Sequence, residues 1–88
     1  MNEAGHLEVA VELLTRLGVA VRYEHLGGAG GGLCTIRGDR VAFVDLDADV
    51  ATRLERSVAA LASCPEVDSL YVPPLLREQI DRARQERT

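Results

Sequence analysis

Hydrophobic positions recur with two different periods along the first half of the chain, and the change of period separates one helix from three strands. Residues 3–17 place Leu, Ala and Val at three- and four-residue spacing, which predicts a helix that ends at Gly18. Residues 19–26, 33–37 and 40–46 are rich in β-branched and aromatic residues, several of them alternating with polar ones, which predicts strands.

The second half of the chain predicts a helix, a short strand and a last helix. Asp47 or Asp49 can cap the first of these, because a carboxylate accepts the free backbone N–H groups of an initial helical turn. Pro65 ends that helix near residue 64. Residues 67–72 predict a fourth strand, and Pro73-Pro74 starts the last helix.

The element order is therefore α-β-β-β-α-β-α, which places the chain in the α+β fold class with a small, mainly antiparallel sheet and helices on one face. The first three strands are expected to form an antiparallel meander. The third and fourth are joined through a helix and are expected to be parallel. Residues 1–84 form a single domain in this interpretation, and residues 85–88 form a polar tail that frays.

Turn chemistry predicts which strand residues face one another. If the Gly38-Asp39 dipeptide turns the chain, Cys34 faces Phe43 on the next strand. If the glycines at 27–32 close a second hairpin, His25 faces Cys34. The face expected to meet the helices then carries Val19, Val21, Tyr23, His25, Cys34, Ile36, Val41, Phe43 and Asp45. The opposite, half-polar face carries Ala20, Arg22, Glu24, Leu26, Leu33, Thr35, Arg37, Ala42 and Val44.

This register brings together three side chains that suit nucleophilic catalysis. Cys34 is the candidate nucleophile and His25 the candidate base, since a neighbouring imidazole lowers the pKa of a thiol; Asp45 would orient the imidazole. The structural alternative is a small buried Cys34, a hydrogen-bonded His25 at a strand end and a helix-proximal capping Asp45. We take the structural alternative as the stronger of the two.

The run of glycines is the most unusual feature of the sequence. Its candidate binding residues are Gly27, Gly28, Gly30, Gly31 and Gly32. Glycine-rich loops can bind phosphate through backbone N–H groups, but here the loop leads into a strand, and no Gly-Lys-Ser/Thr motif follows it. The hypothesis it favours is close approach of a peptide or a partner backbone.

Charge and composition exclude several classes of function. The net charge is −4, every basic residue is Arg, and no basic stripe is present, so nucleic acid is not an expected partner. No apolar run approaches the ~20 residues of a membrane span, and residues 1–6 do not resemble a signal peptide, so a cytoplasmic location is expected. Cys34 and Cys64 are then free thiols. The acids at 45, 47 and 49 do not match a calcium loop, and neither a metal nor a cofactor is predicted.

Size favours self-association. The chain has 88 residues and only 3% aromatic residues, so one copy builds a thin core. A homodimer is expected, with Leu33 and Val44 on its interface. Two functions stay open. One is a small interaction module that binds a protein or peptide at a sheet edge or at the glycine loop, and the other is a thiol-dependent enzyme centred on Cys34.

The chain resembles a family of short uncharacterised bacterial proteins. The resemblance rests on residues 21–24 (Val-Arg-Tyr-Glu), 26–28 (Leu-Gly-Gly), 30–34 (Gly-Gly-Gly-Leu-Cys), 43–47 (Phe-Val-Asp-Leu-Asp) and 70–74 (Leu-Tyr-Val-Pro-Pro). It covers most of the chain and implies no activity.

The layout is also similar to the start of zinc-peptidase-like domains, in which a hairpin precedes a helix bearing His-Glu-x-x-His. In this chain the corresponding helix runs through residues 56–62 and contains no His. The likeness therefore implies a degenerate domain with no metal site and no peptidase activity.

Overall fold

A computed structural model describes residues 2–86 and has the α+β architecture that the sequence predicts. About half of the chain is helical, and three strands form one sheet. The elements in chain order are helix α1 (Glu3–Arg16), strands β1 (Ala20–Glu24), β2 (Gly31–Ile36) and β3 (Asp39–Asp45), helix α2 (Val50–Ala62), a 3₁₀ helix (Pro65–Ser69) and helix α3 (Pro74–Glu86).

The sheet is mixed, with β3 in the centre. Strand β2 pairs with β3 antiparallel, as predicted, but β1 pairs with the other edge of β3 and runs parallel to it. The predicted antiparallel meander is therefore wrong, because the glycine run carries the chain from one edge of the sheet to the other across the end of β3. Within residues 2–86, β1 and β2 are both edge strands.

The hairpin between β2 and β3 turns at Arg37-Gly38, one residue before the predicted turn. Both turn residues have positive φ, 52° at Arg37 and 84° at Gly38, as a two-residue hairpin turn requires. Cys34 therefore pairs with Val41 rather than with Phe43. The register differs from the predicted one by two residues. Because side chains alternate between faces with a period of two, residues of the hairpin that were predicted to share a face still share it.

The helices cover the face of the sheet that carries Val21, Leu33 and Ala42, which pack together in the core. Val44 is buried on the same face, so the prediction that Leu33 and Val44 lie on a dimer interface is wrong. The predicted core face of the first strand was right for Val19 and Val21 but not for Tyr23, which is 55% exposed. The predicted core face of β2 and β3 was wrong. The other face carries Ala20, Arg22, Glu24, Gly32, Cys34, Ile36, Asp39, Val41, Phe43 and Asp45. We call the part of it between Asp39 at one end and Glu24 and Asp45 at the other the open face; its side chains are Ala20, Arg22, Cys34, Ile36, Val41 and Phe43.

Side-chain hydrogen bonds cap the first turns of α1 and α2 and so define where these helices begin. Asn2 Oδ1 accepts the N–H of Gly5 at 2.9 Å and begins α1. Asp49 Oδ1 accepts the N–H of Thr52 at 2.8 Å, so Asp49 rather than Asp47 caps α2. Helix α2 packs against α1, α3, β2 and β3, which makes it the central helix of the layer that covers the sheet.

The predicted fourth strand at 67–72 is absent, because the segment begins as a 3₁₀ helix at Pro65–Ser69. Proline favours the first turn of a helix, and both edges of β3 are already paired. Arginines hold the segment in place: Arg40 pairs with Glu66 at 3.0 Å, and Arg84 pairs with Asp68 at 2.9 Å. Helix α3 continues through Glu86, two residues beyond the predicted domain end, and residues 87–88 of the predicted tail lie outside the described chain.

Candidate functional site

A loop of residues 25–30, which we call the glycine loop, folds over the end of β3 and encloses Asp45. The side chain of Asp45 is fully buried. Its Oδ1 accepts the N–H groups of Leu26 and Asp47, both at 2.9 Å. Its Oδ2 accepts those of Gly28 at 2.7 Å and Gly30 at 3.1 Å. Four backbone donors thus satisfy one carboxylate.

A second carboxylate holds the start of the same loop. Asp47 Oδ2 accepts the N–H of Gly27 at 2.9 Å, and Asp47 Oδ1 lies 2.9 Å from His25 Nδ1. The His25 side chain is three-quarters exposed and points away from the core. His25 is therefore a hydrogen-bond partner of Asp47, and the donors to Asp45 come from other residues.

The hydrogen bonds decide the protonation state of both acids. Burial by itself would raise the pKa of Asp45, but the N–H groups of Gly30, Leu26, Asp47 and Gly28 together lower it to about 2. The hydrogen bonds from His25 and Gly27 lower the pKa of Asp47. Both side chains are ionised near neutral pH, so neither provides a proton donor for acid catalysis.

Two glycines are required by close approach of neighbouring groups. A Cβ at Gly31, whose φ is 81°, would overlap the backbone carbonyl of Phe43 on the facing strand. A Cβ at Gly30 would lie 2.7 Å from Cγ of Arg56. Gly31 and Gly32 belong to β2 rather than to the loop.

The glycine loop is filled by the protein's own acids. The N–H groups of Leu26, Gly27, Gly28 and Gly30, which an external anion would need, already donate to Asp45 and Asp47. The local structure is an anion-binding loop whose anion is part of the same chain. Whether the glycines bind a partner stays a prediction, and the geometry favours a structural role.

The three candidate catalytic residues do not converge. Cys34 pairs with Val41, four residues along β3 from Asp45, which corresponds to about 13 Å of strand. His25 lies beyond the end of β1 with Asp47, so the prediction that it faces Cys34 is wrong. Cys34 is a free, exposed thiol, and Cys64 is a free, buried one. The absence of a disulfide is as predicted, but the placement of Cys34 in the core is wrong.

The open face is a candidate site that the sequence argument missed. Ile36 is 41% exposed and Cys34 is exposed on the edge strand β2, whereas Val41, which pairs with Cys34 and Ala20 on the central strand, is buried. Arg22 is the one charged side chain of the set; its guanidinium lies 5.8 Å from the centre of the Phe43 ring and 3.2 Å from Glu24. The available signal was β3 itself, which is apolar at four consecutive positions, 41–44.

Two further findings concern metal ligands and membrane-spanning helices. Across residues 2–86, no three His, Cys, Asp or Glu side chains are grouped as metal ligands. None of the helices in that same range is long and apolar enough to cross a membrane.

Comparison of the chain with protein-family models, with curated proteins and with solved structures gave no match in any of the three. The two resemblances drawn from the sequence therefore stay predictions.

Proposed function

We propose that this protein is a small, non-catalytic interaction module that pairs with a second copy through the open face of its sheet. The observation that carries the proposal is strand β3, which is apolar on both faces although helices cover only one of them. A strand with a continuous apolar run is typical of a sheet that is covered on both faces, whereas a sheet that faces water alternates apolar and polar residues.

The composition of the open face supports a protein partner. Five of its six residues, all except Arg22, are apolar or weakly polar, and the acids of the same face, Asp39, Glu24 and Asp45, lie at its two ends. Arg22 lies over Phe43 and Val41 is already buried, so the exposed apolar region is centred on Cys34 and Ile36. Packing two such faces together would bury these side chains in an aligned sandwich of the kind that paired sheets form.

The size of the face predicts the strength of the association. Three strands of about six residues cover on the order of 300 Å² in plan. A standard stable interface buries about 800 Å² on each partner, so the open face alone supports a weak dimer in the micromolar range. Association should therefore depend on concentration. An exposed thiol on the interface suits a reducing compartment such as the cytoplasm.

The test is the molar mass in sedimentation experiments between about 5 and 500 µM, a range that brackets micromolar affinity. The wild type should approach twice the 9.5 kDa of one chain. Ile36→Glu, which adds a charge at the open face, should stay monomeric throughout. Leu75→Glu is the matched control, because Leu75 is 58% exposed on α3, outside the open face. A wild type that remains at 9.5 kDa, or an Ile36→Glu variant that still pairs, would refute the proposal.

A further inference from the structure

An open groove of 620 Å³ runs between α2 and α3, away from every residue of the open face. Its apolar floor is formed by Leu54 and Val58, which are buried. Small side chains line its sides: Ala51 and Ala59 on α2, and Ala83 on α3. Because alanine reaches no further than Cβ, the two helices leave the groove unfilled.

The groove contains a polar atom that lacks a partner. Gln79 lines the groove, and its Oε1 is buried and has no hydrogen-bond partner among residues 2–86. A buried amide oxygen without a donor has lost its hydration and gained nothing in exchange. Such atoms are rare in native structures, and a donor from a bound molecule would account for this one.

The rim of the groove is predominantly acidic. Glu3, Glu55 and Glu86 contribute to it against a single basic residue, Arg82. None of these four side chains takes part in an ion pair among the described residues. The charges are therefore available to a partner, and the partner they attract is a cation.

We propose that the groove binds a short, basic amphipathic helix of another protein. The floor and sides use positions 51–59 of α2 and 79–86 of α3, about 12 Å of helix length, which matches two turns of a docked helix. Apolar side chains of the partner would fill the space over Leu54 and Val58. Lys or Arg side chains beside them would meet the acidic rim, and, with the Gln79 amide turned toward the groove, one N–H donor would reach Gln79 Oε1.

The probe for this proposal is a synthetic, fluorescently labelled peptide of about 15 residues that carries Leu at every third and fourth position and Lys on both sides of the Leu stripe. Its control has the same Leu residues and Glu in place of Lys. We expect fluorescence anisotropy to show saturable binding of the Lys peptide and at least about tenfold weaker binding of the Glu peptide. Equal binding of the two peptides, or no binding of either, would overturn the proposal.

Two protein variants with the same net charge separate the groove from general attraction to an acidic surface. Glu55→Arg changes the rim, whereas Glu12→Arg makes the same change on α1, outside the groove. We expect a loss of about tenfold in affinity from the first and less than about twofold from the second. Equal losses would mean that the peptide follows charge alone and would overturn the proposal.

Gln79→Leu tests the hydrogen bond, because it replaces the amide acceptor with a slightly shorter apolar side chain. This variant should melt at a higher temperature than the wild type and bind the Lys peptide more weakly. Unchanged binding would refute the role of Gln79.

Two further outcomes identify a different occupant. If hexylamine saturates the groove while the peptide does not bind, the occupant is a small molecule. If Glu55→Arg converts a dimer to a monomer, the occupant is a second copy. Either result overturns the proposal.

Discussion

The two ends of strand β3 present the same face of the sheet in opposite ways. At Asp45 the glycine loop folds over the strand and gives one carboxylate four backbone donors. At the other end Val41 and Phe43 are apolar, and the guanidinium of Arg22 lies 5.8 Å from the centre of the Phe43 ring. The chain itself closes the end that carries Asp45, whereas the apolar end, where Cys34 pairs with Val41, is the one that we propose for a partner. Asp45, a candidate catalytic residue in the sequence, thus has a structural role in this fold.

The largest expected effect comes from breaking the closed end. Asp45→Ala leaves four N–H groups without their acceptor, so we expect it to be unfolded or nearly so at 25 °C. Asp45→Asn keeps the shape but turns an amide NH₂ toward donors, and should melt about 15 °C lower than the wild type. Asp47→Asn is the matched control: its side chain is 41% exposed and accepts one backbone N–H, so its melting temperature should fall by about 5 °C or less.

Circular dichroism on thermal melts measures all three variants. Equal losses from Asp45→Asn and Asp47→Asn would contradict the structural role that we assign to the buried carboxylate.

Replacing a glycine tests how tightly the closed end fits. Gly31 and Gly27 have nearly the same φ, 81° and 85°, so Ala should cost about 1–2 kcal/mol at either one from backbone strain alone. At Gly27 no atom lies within 4 Å of the new Cβ, whereas at Gly31 the Cβ overlaps the carbonyl of Phe43. Gly31→Ala should therefore lower the free energy of unfolding by about 3 kcal/mol or more, and Gly27→Ala by no more than the strain. Urea denaturation distinguishes them, and a smaller loss at Gly31 would show that β2 and β3 separate there.

Lowering the pH tests the hydrogen bonds of Asp45 by a milder change than a substitution, because it only protonates the carboxylate. The pKa of Asp45 is lowered to about 2 in the folded protein, below its value in the unfolded chain. Its contribution to stability is therefore fully present above about pH 4 and is lost as the pH falls from about 4 to about 2. The melting temperature of the wild type should fall over that window. Asp45→Asn should fall less steeply, retaining the slope contributed by Asp47 and Asp68, whose pKa values are also lowered. Parallel curves would contradict this assignment.

The elements of this fold follow from the sequence because they depend on local chemistry. The spacing of apolar residues in α1 and α2, the capping acid Asp49, and the turn at residues 37–39 all act over a few residues. These features predicted the α+β class and the β2–β3 hairpin. Pro65 marks the end of α2 in the same local way.

The strand order could not be predicted by the same means, because it depends on a long-range contact. The predicted meander assumed that the glycine run is a hairpin turn, whereas its N–H groups are held by Asp45, 15 to 19 residues away. The sequence does contain the two halves of this contact. A run rich in glycine has many backbone donors, and an acid that follows an apolar strand needs donors when it is buried. Their pairing becomes visible only when β1 is placed beside β3.

Alkylation of the native protein is expected to have the smallest effect on stability, and it probes the open face directly. Cys34 is an exposed thiol on the open face, while Cys64 is fully buried and lies 3.3 Å from Nη1 of Arg40. Burial also raises the pKa of Cys64. A maleimide should therefore modify one thiol per folded chain, at a rate within about tenfold of free cysteine, and the second only after unfolding. Modification of Cys34 should change the free energy of unfolding by less than about 0.5 kcal/mol, because no core contact is lost.

A bulky label on Cys34 should nevertheless prevent pairing, since Cys34 lies next to Ile36 on the face proposed to meet a second copy. Cys34→Ser, which takes no label, should still pair after the same treatment. A thiol that reacts about a hundredfold faster than free cysteine would instead favour Cys34 as a nucleophile, and a labelled protein that still pairs would show that the interface lies on another surface.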